Sequence, residues 1–480
     1  MNGGVNGSTA ALPSLGWLGI ARLGLVQAML GAVVVLTTST LNRVMVVELA
    51  LPALLPGLLV ALHYAVQLSR PRMGYGSDVG GRRTPWIVGG MAVLALGGFG
   101  AAVATTWMAD DRSWGIALAV LSFALVGLGV SAGGTSLLVL LAKRVEAPRR
   151  ASAAALVWMM MIVGFAVTAG VAGRFLDPYS AVRLMTVSGV VSLIAVSVTL
   201  LALWGVEGPG RLAASSSPAQ AGQAAKPDFM AALREVWREP DARRFTIFVF
   251  VSMLAYSTQD LILEPFAGAV FGYSPGASTQ LAGVQHGGTL TGMLLAALAG
   301  RRVGGARLGS LRAWTVGGCL ASGVALLGLV VAGSVAPHWP LRANVFLLGV
   351  ANGAFSIAAI GSMMSLASGH NTSGHNAEGQ PREGTRMGLW GAAQAIGFAV
   401  GGLFGAAASD VARWLIGHQG SAYAAVFALE ACMFVAAAWL AARIAAPALR
   451  NAGPVSSSAA LAAPLVGPAD AQALRAGGSS

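Results

Sequence analysis

Long apolar runs separated by short, Arg-bearing breaks constrain this chain more than any other feature. The runs fall near residues 20–44, 53–69, 85–107, 115–141, 151–173 and 183–204, and again near 243–266, 279–299, 313–335, 342–367, 387–408 and 422–446. Each lies near the roughly 20 residues that carry a helix across a bilayer. The expectation is an all-α membrane protein of about twelve transmembrane helices. Only 10% of the 480 residues are charged and 56% are hydrophobic, against about 25% charge in an ordinary soluble domain. The spans consume the apolar residues and leave no soluble domain of any size, which excludes a soluble enzyme. The 65 glycines suit closely packed helices, and the runs lack the short alternating pattern of a β-barrel.

The 30 basic residues give a net charge of +12. When they are sorted by alternate loops, 24 fall on one side and six, Arg43, Arg112, Arg174, Arg183, Arg342 and Arg413, on the other. Positive residues accumulate in cytoplasmic loops, so both termini are expected in the cytoplasm. The basic clusters form no single face and have no interleaved aromatics, which argues against nucleic acid as a partner. Cys319 and Cys432 lie in separate apolar runs with no metal spacing or disulfide framework. The first 17 residues have no basic n-region or cleavage site, so no removable signal peptide is expected.

The pattern divides the chain into an N-terminal cytoplasmic segment 1–17, a six-helix half 18–204, a linker 205–242, a second six-helix half 243–446 and a tail 447–480 expected to be disordered. The linker opens with AASSSPAQAGQAA, which cannot bury a core, and continues as KPDFMAALREVWREPDARR, whose apolar face predicts a helix lying on the membrane surface. A shift of 217 residues lays Arg43 on Asp260 and brings Glu48 close to Glu264, while a shift of 223 lays His63 on His286. Two related halves joined by a cytoplasmic loop are the pattern of parallel repeats about a membrane-normal axis.

After the second run stands GYGSDVGGRR, in which Gly74, Asp78, Gly81, Arg82 and Arg83 resemble the cytoplasmic loop signature of the major facilitator superfamily, with Val79 in place of a basic residue. The glycines permit a tight reversal, and Asp78 is suited to accept bonds from a helix N-terminus and from Arg, a latch between conformations. Charges near spans are functional candidates. Arg43 and Asp260 are expected to pair across a central cleft, with Glu48 and Glu264 at its mouth, as a periplasmic gate. His63 and His286, with Gln67 and Thr289 at helical spacing, have two roles open to them: ligating a metal, including a chlorin magnesium, or bonding a neighbouring helix. His370 and His375, in a polar loop without acidic or thiol partners, read as solvated. There is no phosphate-cradling loop, nucleophile elbow or zinc motif, and Asp110-Asp111 stands alone. No catalytic or metal site is expected.

The stretches LGLVQAMLGAVVVLTTSTLNRVMVVEL, SRPRMGYGSDVGGRRTPWIVGG and GTRMGLWGAAQAIGFAVGGLFG resemble the PucC/LhaA family, the bacteriochlorophyll-delivery branch of the major facilitator superfamily, over residues 15 to about 445. The resemblance implies a non-enzymatic factor of the inner (cytoplasmic or intracytoplasmic) membrane for light-harvesting complex assembly, with a lean toward the core antenna around the reaction centre. Its cargo would be bacteriochlorophyll, with no tightly bound catalytic cofactor, and its partners antenna polypeptides, the reaction-centre core complex and membrane lipids. In the last stretch, Trp390 and Gln394 share a helical face suited to a flat ring or a partner helix, or to packing within the bundle, and join His63 and His286 as candidate pigment contacts. The competing reading is a secondary transporter of a small solute, which would need convergent polar groups at mid-membrane.

Overall fold

The computed structural model describes residues 14–70, 82–207, 234, 237–299, 309–367 and 383–444. Among them the chain forms α1 (Trp17–Glu48), α2 (Leu54–Val66), α3 (Thr84–Trp107), α4 (Arg112–Arg144), α5 (Ala147–Leu176) and α6 (Ala181–Leu203). The second half forms α7 (Pro240–Phe271), α8 (Pro275–Ala299), α9 (Leu311–Val335), α10 (Leu341–Ala367), α11 (Glu383–Ile416) and α12 (Gln419–Ala442). Ten of these are long and apolar enough to cross a membrane. The other two are α2, a 13-residue helix extended by one 3₁₀ turn, and α8, which is rich in Gly, Thr and Gln. The expected count of about twelve spans thus becomes ten by length and composition, with two weaker helices between them.

The composition of α8 has a packing cause. Lipid supplies no hydrophobic force between helices, so close packing falls to small residues. A Cβ on Gly283 would meet the backbone of α5 at 2.9 Å (Gly170 N) and 3.0 Å (Ala166 O), and one on Gly292 or Gly353 would fall onto the facing carbonyl across the α8–α10 contact. With α5 on one flank and α10 on another, α8 needs glycines where a lipid-facing helix carries leucines.

The second and fifth helices of opposite halves join the two halves, as α2 against α11 and α5 against α8. Exposed Val182, Leu193 and Leu201 of α6 and Leu320, Val324 and Leu327 of α9 face outward. Exposed tryptophans mark both ends of the bundle, Trp107, Trp114 and Trp414 at one and Trp17, Trp204 and Trp439 at the other, as at membrane interfaces. The first is called here the gate face and the second the basic face, after its Arg-bearing loops. Part of the expected linker folds onto the bundle: Val206 and Glu207 are buried, Arg22 donates to the Trp204 carbonyl, and α7 already begins at Pro240. The expected surface helix, apart from Arg234 and the residues from Trp237 on, lies outside the described residues, as do His370, His375 and the 447–480 tail.

Candidate functional site

Polar side chains within lipid need partners from neighbouring helices, and α1 carries its own at the gate-face end, in Ser39-Thr40-Leu41-Asn42-Arg43. There the helix widens into two π-helical turns, Leu36–Thr40 and Val44–Glu48, a distortion frequent at functional sites. The Ser39 hydroxyl donates to Glu264, and the Thr40 and Thr279 hydroxyls pair at 2.9 Å. Asn42 Nδ2 donates to the Leu261 carbonyl at 2.6 Å. Arg43, 2% exposed, donates to the Tyr273 carbonyl at 2.6 Å and forms an ion pair with Glu48. Tyr179, in the nearby α5–α6 connection, has its phenol pushed above its ordinary range by burial, with Glu48 adding to the effect. These bonds tie α1 to α7 and α8.

Arg43 thus pairs with Glu48, and Glu264 bonds Ser39 one turn of α1 away, but the expected Arg43–Asp260 pair does not form. Asp260 precedes Glu264 by one turn of α7, and Arg43 is already engaged by Glu48 and Tyr273. A repeat-derived correspondence places residues at equivalent depths in each half; it does not make them neighbours.

Two further carboxylates, not singled out from the sequence, close the same face. Asp177, just after α5, accepts from Ser274 Oγ at 2.8 Å and from Gly276 N at 3.2 Å, at the start of α8. Asp410, near the end of α11, accepts from Ala53 N at 3.0 Å and Leu54 N at 2.7 Å, at the start of α2, and pairs with Arg413. Each satisfies orphan amides at a helix N-terminus, where the helix dipole also favours a negative charge. Each reaches from the fifth helix of one half to the second helix of the other, so the caps are a repeat-related pair. The signal in the sequence was an aspartate near the end of the fifth apolar run of each half.

Deeper in the bundle, Arg70 donates to Gln67 Oε1, which fixes the Gln67 amide so that its Nε2 donates to His63 Nε2 at 2.8 Å. His63, 2% exposed, thus has the lone pair that could ligate a metal already occupied. The bond lies within α2 and its 3₁₀ extension and does not reach a neighbouring helix, and His63 Nδ1 is buried without a hydrogen-bond partner. His286 is half-buried against Phe165 of α5, with ring centroids 5.0 Å apart. Its expected neighbour Thr289 instead donates to the Gln285 carbonyl at 3.1 Å. Trp390, 1% exposed, packs at 4.8 Å on Phe245 and donates to the Ala242 carbonyl at 3.4 Å, so it is a core residue and does not offer a face to a ring. Gln394 lies half-buried, 4.0 Å from Met253 Sδ. No hydrogen bond or ring contact links any of His63, His286 and the Trp390–Gln394 pair to another among the described residues.

An aromatic wall that sequence reading missed runs between the halves. Tyr64 of α2 stacks on Phe398 of α11 at 6.0 Å, and Tyr256 of α7 meets Phe398 edge-on at 5.8 Å and Phe355 of α10 at 6.4 Å. Asp260, one turn beyond Tyr256, lies within electrostatic reach of both tyrosines and of Glu430 of α12, whose carboxylate oxygens are buried without a hydrogen-bond partner. Tyr64, Tyr256, Asp260 and Phe398 each keep partial access although they sit on helices packed inside the bundle.

On the basic face, Gly74, Asp78 and Gly81 of the loop signature lie outside the described residues. Arg82 and Arg83 lead into α3, and Arg83 is buried. The N-terminus of α3 is capped by Glu207, which accepts from Arg83 N and from Thr84 N at 2.8 Å, while Arg144 holds the Val206 carbonyl at 2.7 Å. Among the described residues, the carboxylate at this helix start thus comes from the end of α6.

The family model described as PUCC protein matches residues 40–449. The chain is 51% identical over 430 residues, 89% of its length and 95% of the relative's, to the "Bacteriochlorophyll synthase 44.5 kDa chain" of Rhodobacter capsulatus. It is 29% identical over 442 residues, 87% of its length and 90% of the relative's, to "Protein PucC" of Rhodobacter capsulatus. In fold it is similar to a bacterial homolog of the human lysosomal transporter Spinster in an inward-facing, occupied conformation, with a TM-score of 0.61, 17% identity and coverage of 90% of this chain and 97% of that one. The architecture is that of the major facilitator superfamily, in a multi-pass membrane protein.

Proposed function

The chain belongs to the PucC protein family, and on that premise we propose that it binds bacteriochlorophyll in the inner membrane and passes it to antenna polypeptides as light-harvesting complexes assemble, serving the core antenna around the reaction centre. The observation that carries this reading is the 51% identity, along nearly the whole chain, to a relative named as a chain of bacteriochlorophyll synthase. The role is one of holding and handing over pigment. The acidic pair Asp110-Asp111 supports a structural use in place of catalysis, since Asp111 caps α4 by accepting from Ser113 N at 3.0 Å and Trp114 N at 3.1 Å. With the basic loops in the cytoplasm, the closed gate face is periplasmic, both termini are cytoplasmic, and pigment enters from the cytoplasmic side or from the bilayer.

The interior carboxylates Asp260 and Glu430 favour a second reading, transport of a small solute by alternating access. Purification in mild detergent from a pigmented host, with an absorption spectrum and mass spectrometry of co-purifying polypeptides, separates the two. The assembly role predicts retained bacteriochlorophyll together with antenna subunits. A preparation free of both defeats it.

A further inference from the structure

The aromatic wall and the carboxylate beside it form a site with a definite chemistry. Tyr64, Tyr256 and Phe398 present ring surface from α2, α7 and α11, with Phe355 of α10 behind them. Asp260 stands next to that surface with the side-chain amide of Gln285 from α8 against its carboxylate, and among the described residues no cation pairs with it. A carboxylate held inside a membrane protein without a cation is costly, and the cost is relieved by taking up a proton or by a ligand that carries positive charge or Lewis acidity.

We propose that Asp260, Tyr64 and Tyr256 are the polar groups of a binding site for a magnesium tetrapyrrole. The carboxylate supplies an axial oxygen to the metal, the two phenols donate to carbonyl groups at the ring edge, and the aromatic wall takes the ring face. Magnesium is a hard cation that prefers oxygen to imidazole nitrogen, and His63 has its Nε2 already bonded to Gln67. The flat apolar face of such a ring matches the offset and edge contacts that aromatic side chains make. Tyr64 comes from the first half and the other groups from the second, so a bound ring bridges the halves and the site is completed only when they close on it.

The inference rests on the pigment-handling reading, and one titration distinguishes their failures. The purified protein is titrated in detergent with bacteriochlorophyll and, separately, with its metal-free derivative, following fluorescence quenching. Wild type is expected to bind the metal-bearing ring at least about tenfold more tightly, since losing even a partner that orients a metal's ligand costs about 10–100-fold in affinity. Asp260→Asn abolishes that preference and Asp260→Glu, which keeps the carboxylate, retains it. Tyr256→Phe weakens both rings roughly fivefold, about one hydrogen bond, and leaves the preference intact. His286→Ala changes neither. A wild type that does not discriminate, or an Asp260→Asn variant that still does, overturns the site while leaving pigment handling in place. Failure of wild type to bind either ring overturns both.

Discussion

The paired caps on the gate face make the closed state depend on two carboxylates. Replacing Asp177 or Asp410 by Ala removes a side chain that accepts from an α8 or α2 amide at 2.7–3.2 Å. Loss of an N-cap costs about 1 kcal/mol, and loss of the negative charge at a helix start about 0.3–1 kcal/mol more. Each variant should therefore weaken closure by about 1–2 kcal/mol. The caps act on different helix pairs, so the double variant should lose about 2–4 kcal/mol, roughly a 30- to 1000-fold shift toward the open form. Asn caps as well as Asp but carries no charge, so the double Asn variant should lose only the smaller part. Spin labels at Ser113→Cys on α4 and Leu415→Cys on α11, with the exposed Cys432 replaced by Ser, report the separation of the halves on this face. The double Ala variant should populate a longer distance that is minor in wild type, with the double Asn variant between them. Identical distance distributions in all three would refute the latch.

Other expectations follow from the same geometry. The charge exchange Arg43→Asp with Asp260→Arg should retain no more pigment than either single variant, because Arg43 meets Glu48 and Tyr273 and does not meet Asp260; rescue in the double would restore the cross-cleft pair. Gly292→Val, which drives side chain into the α10 backbone, should cost about 1–3 kcal/mol, read as a lower melting temperature in detergent, whereas the same change at Gly317, where space is open, should not. Near the N-terminus, Ser14 Oγ donates to Glu146 at 2.6 Å, and with Arg149 this holds the Glu146 carboxyl below its ordinary range. A depressed carboxyl favours the docked state above its unfolded pKa and loses that contribution as pH falls through the lowered value. The protection factor of amides at the start of α1, with the intrinsic pH dependence of exchange divided out, should therefore fall in acid, and Glu146→Gln should remove most of that dependence.

The bundle was legible because lipid imposes a simple rule: nearly every long apolar run became a helix, and the runs' order set the two halves. Where helices pack against helices on several sides, as α8 does, glycine lowers the hydropathy, and composition alone understates the span. The gate was half legible. Buried charge flagged Arg43, Glu48 and Glu264, but which of them touch depends on helix rotation and on the π-helical turns of α1, which no spacing rule reveals. Asp177, Asp410 and Glu207 were missed for another reason. They sit at span ends, where an acidic residue looks solvated, and only the approach of another helix start makes it a cap. For Trp390 the small neighbours left a ring contact, a partner helix and packing within the bundle all open, and the approach of α7 decides for packing.

Incubating the purified protein with bacteriochlorophyll and recovering the pigment tests the account most directly. A carrier predicts saturable binding at a fixed pigment-to-protein ratio and pigment recovered chemically unchanged. No saturable binding, or pigment converted to a new product over repeated turnovers, would contradict it.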